Sequence, residues 1–119
     1  VWHGRPWLID HGAALYIHHT WRDPAAHARR PHDERLADHV LLPVAASIAE
    51  ADERLAPIVT TRLIEDLVAA VPDDWLADDP VIGDAPAQRG AYVDYLARRL
   101  HFPRPFVERV ERLRAATVA

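Results

Sequence analysis

Four residue types are missing from this 119-residue chain: cysteine, methionine, lysine and asparagine. Without cysteine there is no disulfide, no thiolate metal ligand and no thiol nucleophile. Without lysine no Schiff base forms, which removes pyridoxal chemistry. No phosphate-binding lysine of the Walker or kinase type can come from these residues either. All fourteen basic side chains are arginines. Serine occurs once, as Ser47 ahead of Glu50, where it serves a helix cap, so a serine-nucleophile hydrolase is excluded. The chain opens at Val1-Trp2 rather than at a methionine, and it reads as a piece of something longer.

Charge and hydropathy exclude two further classes. A net charge of −4 argues against a dedicated nucleic-acid binder, whose phosphate contacts need a basic face. No apolar run approaches the ~20 residues of a membrane span, and no signal peptide is present. A soluble, cytoplasmic protein is therefore expected. Half of the residues are apolar and 27% are charged, the balance of an ordinary globular chain. At this length one modest domain, residues 1–119, should bury roughly two-thirds of its unfolded surface.

What is present has an order along the chain. "VWHG" and "PWLID" are short apolar runs separated by Gly4-Arg5-Pro6, the pattern of a hairpin over residues 1–12. A looser connection with Pro24 and Pro31 follows, and from residue 33 to 116 the pattern is helical. Asp33 is placed to cap "ERLADHVLLP", which stops at Pro43. Ser47 and Glu50 form a capping box for a helix ending near Ala56. Thr60 or Thr61 caps the next, with Leu63, Ile64, Leu67, Val68 and Val71 as its apolar stripe. Asp73 or Asp74 caps a single turn expected to plant Trp75 and Leu76 in the core. After a loop over residues 80–90, Tyr92, Val93, Leu96 and Leu100 line another helix. Beyond Pro103 and Pro105, Phe106, Val107, Val110 and Leu113 line the last. The expectation is a mainly α chain: a short N-terminal hairpin, then a bundle of about five helices.

The stretch with a claim to chemistry is "WLIDHG", Trp7 to Gly12. An apolar strand delivers the carboxylate of Asp10 at its end, and Gly12 frees the backbone to bend behind it. An aspartate before a small turn can simply accept hydrogen bonds from the next amides. It can also hold a hard cation such as Mg²⁺, which binds one or two carboxylates together with nucleotide phosphate oxygens. Both readings stand at this point.

"HGRPWLIDHGAALYIHHTW" resembles the metal-binding segment of HipA-like kinases in their actinobacterial form, and it is similar to the "IDNG" segment of type II phosphatidylinositol 4-kinases. "DHVLLP", "RLAP", "AVPDDWLADDP", "AYVDYLARRL" and "PRPFVE" resemble the same HipA-like group, so the likeness runs through essentially the whole chain. It implies the C-terminal lobe of a protein-kinase-like fold (HipA/PI-kinase-like). Residues 1–12 would be its hairpin and metal-binding turn, and residues 33–116 its helical part. It further implies that Asp10 chelates Mg²⁺ and through it binds ATP, with Gly12 as the turn glycine. The role of His11 does not carry over. The base aspartate, the second metal-ligating asparagine, the ATP-binding lysine and the N-lobe lie upstream in such kinases, so no catalytic residue beyond the metal ligand is expected here. The chain alone should then be inactive, and its partners would be that upstream N-lobe and catalytic loop, ATP, and a hydroxyl-bearing substrate of unassigned class.

Two other readings compete with the kinase. One is a non-catalytic helical regulatory module or pseudokinase. The other is a His/Asp metal protein, because His11, His18 and His19 cluster near Asp10 and His27, His32 and His39 follow. No HExxH or regular helical histidine spacing supports the latter, and each histidine is read as structural. Trp2, Trp7, Trp21 and Trp75 are read as core anchors, and the arginines from Arg98 to Arg114, interrupted by Glu108 and Glu111, as a solvated helical face.

Overall fold

A computed structural model describes residues 3–5, 7, 15–31 and 34–118 of the chain. Five α-helices run through them: α1 (Pro24–Ala28), α2 (Ile48–Leu55), α3 (Thr61–Ala69), α4 (Ala85–Leu100) and α5 (Pro105–Val118). No strand occurs among the described residues. The expected hairpin falls mostly on residues outside them.

The helix starts follow from local capping chemistry. The Asp23 carboxylate accepts from the Ala26 amide, Ser47 from Glu50, Thr60 from Leu63 and Asp84 from Ala87. Each satisfies one of the amides that the first helical turn leaves without an intrahelical partner. Pro24 and Pro86 sit in first turns, where a missing N–H costs nothing.

Three expectations need correction. The segment after Asp33 forms two 3₁₀ turns, Glu34–Asp38 and Leu42–Val44, rather than one helix, and Pro43, which has no N–H to donate, sits in the first turn of the second. Helix α4 begins at Ala85, inside the stretch read as a loop, since Asp84 caps it and Pro86 occupies its first turn. Neither Trp75 nor Trp7 is a core residue: the 3₁₀ turn Asp73–Trp75 leaves Trp75 78% exposed, and Trp7 is 66% exposed.

The main core lies on α4. Ile17, Trp21, Ala28 and Tyr95 form one buried cluster, with Leu15, Ile82, Ala91, Tyr92 and Leu96 packed against it. Helices α1 and α3 both dock on α4, whereas α2 and the two 3₁₀ turns dock on α5. Between α3 and α4 the chain folds into a tight loop. Asp79 and Gly83 exchange both backbone hydrogen bonds (2.9 and 2.8 Å), and the Asp79 carboxylate accepts from the Val81 and Ile82 amides. Gly83 sits at φ 101°, open to glycine and strained for any other residue. The buried amide of Gln88 donates to the Ala77 and Gly83 carbonyls, which fixes the loop onto α4.

Candidate functional site

Asp10, His11 and Gly12, the residues on which the metal-binding expectation rests, lie outside the described residues, as does His32. What the structure gives is the segment that follows them. Leu15 packs on the core, Ile17 is 1% exposed, and a 3₁₀ turn over Ile17–His19 leads to the buried Trp21. The Trp21 ring meets Tyr92 of α4 edge-on at 4.9 Å between centroids. Tyr16, Trp21 and Asp23 all hold positive φ (58°, 47° and 46°), a conformation that non-glycine residues enter at a cost. The backbone bends tightly here, and Leu15, Ile17 and Trp21 pack into the cluster that contains Tyr95 of α4.

His18 and His19 are brought together, with ring centroids 4.1 Å apart, and Tyr16 lies 5.9 Å from His19. Partial burial and the neighbouring His19 push the His18 pKa below its ordinary value. A neutral imidazole is the metal-binding form, but a third ligand is needed, and no group of three or more His, Asp or Glu side chains able to hold an ion occurs among the described residues. His39 is engaged locally, its Nδ1 accepting from the Leu41 amide at 3.2 Å.

Two apolar clefts flank the core. One, of about 380 Å³, is lined by Leu15, Leu67, Val68, Val71, Trp75, Leu76, Tyr92 and Leu96. The other, of about 270 Å³, lies between α2 and α5 and is lined by Ile48, Ala51, Leu55, Val59, Leu100, Phe106 and Val107, with Asp52 and Arg104 in its wall. The Arg104 guanidinium meets the Asp52 carboxylate through two nitrogens, Nε at 2.7 Å and Nη2 at 2.6 Å, and also donates to the Leu100 carbonyl. That bidentate pair raises the Arg104 pKa. Reading Arg104 as part of a solvated face missed it, since its partner stands 52 residues away.

No family model, no curated protein and no solved structure matches this chain.

Proposed function

We propose that this chain is the C-terminal helical part of a HipA-like ATP-dependent kinase and supplies the Mg²⁺-chelating Asp10 of its active site. The observation that carries the reading is the "WLIDHG" segment, joined to an anchored continuation. Asp10 stands five residues before Leu15, which packs on the core, so chain length keeps it within about 17 Å of that residue. The helical character of residues 34–118 agrees with the expected lobe. In this reading the Asp10 carboxylate would hold Mg²⁺ and through it ATP, the metal supplying charge neutralisation, and Gly12 would be the turn glycine behind it. Phosphoryl transfer is promoted mainly by positioning and by neutralising charge, so a single ligand carboxylate matters to turnover.

The substitution that tests this is Asp10→Asn in a protein that joins this chain to the catalytic loop and ATP-binding lysine of the same kinase. Asparagine keeps the size and turn-forming ability but removes the charge, so turnover should fall by about 10²-fold or more with an unchanged melting temperature. An active, normally melting variant would refute the metal-ligand role. The second reading, a non-catalytic helical module, is favoured by the two apolar clefts, which suit a protein partner rather than a phosphate. It expects Asp10→Asn to be silent.

A further inference from the structure

Helices α2 and α5 meet across a gap that neither of them fills. The α2 residues bordering it, Ile48, Ala51, Asp52 and Leu55, recur at the spacing of a single helix face. Phe106 and Val107 border it from α5. A helix normally covers such a face, yet no residue of α2 or α5 is fully buried, and Leu55 remains 56% exposed. Close packing would ordinarily draw the two faces together, because a void forfeits the dispersion contacts of its lining.

Two ties fix the spacing instead. At the start of α2 the Glu111 carboxylate accepts from the Ile48 and Ala49 amides at 2.6 and 3.1 Å. One turn further on, Asp52 meets Arg104 at 2.6 Å, and Arg104 also donates to the Leu100 carbonyl at 3.0 Å. The Phe106 ring is engaged by the Arg99 guanidinium, 4.7 Å from its centroid, and Arg99 in turn donates to the Ala28 carbonyl. Between the two ties α2 carries Ala51, whose side chain ends at Cβ, and the space left is about 270 Å³. The cleft is held open by the polar bonds around it.

Size and charge define what this space accepts. An apolar cavity of about 150 Å³ stays dry and takes one benzene, so the larger volume here admits one ring with a short substituent. The only charged groups in the wall, Asp52 and Arg104, already compensate each other. An ion entering beside them would leave water without an opposite charge of its own, which is costly in an apolar site. An uncharged molecule loses nothing of that kind.

We propose that the α2–α5 cleft is a binding site for a small uncharged apolar molecule, a single ring or a chain of about six to ten carbon atoms. The ligand supplies the contacts that α2 and α5, held apart by their ties, do not make with each other. This site is independent of Asp10 and of any nucleotide.

The test uses the 119-residue chain with labelled methyl groups, titrated with toluene and followed by NMR. Methyl shifts of Ile48, Leu55 and Val107 should saturate together at one toluene per chain, with a Kd of about 1 mM or tighter. Benzoate and benzylammonium, which have a similar shape and opposite charges, should leave these methyls unmoved at the same concentrations. Ala51→Leu fills the gap, so it should weaken toluene binding by about ten-fold or more without lowering the melting temperature. No saturation at these methyls up to the solubility of toluene overturns the proposal. So does an unchanged Kd in folded Ala51→Leu, or benzoate binding as tightly as toluene. Methyl shifts that change with protein concentration alone would show that a second copy occupies the cleft, and would overturn it equally. Should Ala51→Leu fail to fold, the wild-type titrations with the three probes decide alone.

Discussion

Arg104 shows how much a single side chain can hide from a sequence reading. Among fourteen arginines it is one of the run from Arg98 to Arg114, which Glu108 and Glu111 interrupt and so mark as a wet face. Sequence spacing reports only neighbours three and four residues apart. The Asp52 partner lies on another helix, and the pair is largely buried, with side chains 13% and 21% exposed. Removing the cation leaves a carboxylate in the wall of an apolar cleft with its strongest hydrogen bonds gone. Arg104→Ala should therefore destabilise the fold by about 2 kcal/mol in denaturant unfolding. Arg62→Ala, which breaks the exposed pair with Asp66, should cost less than about 0.5 kcal/mol.

At the scale of elements, the helices were legible wherever local chemistry decides. Ser47 and Thr60 cap the helices that their sequence context assigns to them. Elements decided by long-range contacts were not. The start of α2 is secured a second time by Glu111 of α5, whose carboxylate accepts from the Ile48 and Ala49 amides at 2.6 and 3.1 Å and also pairs with Arg114. These partners, led by Arg114, hold the Glu111 pKa down from 4.5 to about 2. A depressed carboxylate contributes stability that is present above its unfolded value and lost as pH falls through its folded one. Glu111→Gln should lower the melting temperature at neutral pH, and its difference from wild type should shrink between pH 4.5 and about 2. A constant difference across that range would show that the charge of Glu111 is irrelevant to the α2–α5 contact. The same distinction explains Trp75: its size suggested a core anchor, but nothing local reveals that its 3₁₀ turn faces outward.

The whole molecule is extended for its length. Its radius of gyration is 16.1 Å, against about 13–14 Å for a compact chain of this size, and its extents are 49 × 36 × 27 Å. Few large apolar side chains are fully sequestered, while Leu67, Trp75, Ile58 and Leu55 each expose more than half of their surface. Mutational cost should therefore be concentrated. Ile17→Ala, at the centre of the α4 cluster, should destabilise by about 2–4 kcal/mol, whereas Leu67→Ser in the cleft should be within about 0.5 kcal/mol of wild type. Equal losses for the two would mean that the cleft is closed in solution. Cap residues and apolar spacing made a mainly helical chain legible, but not this distribution of burial, because a helix stripe such as Leu63 to Val71 looks the same whether covered or bare.

The bare stripe carries its own optical signal. Trp75 stands at the rim of the 380 Å³ cleft in contact with water, while Trp21 is sealed within the core against Tyr92. Indole emission shifts to shorter wavelength as its surroundings become apolar. Whatever settles against Leu67 and Val71 must also cover Trp75, so occupation of this cleft announces itself as a blue shift and as protection from an aqueous quencher, with no label attached.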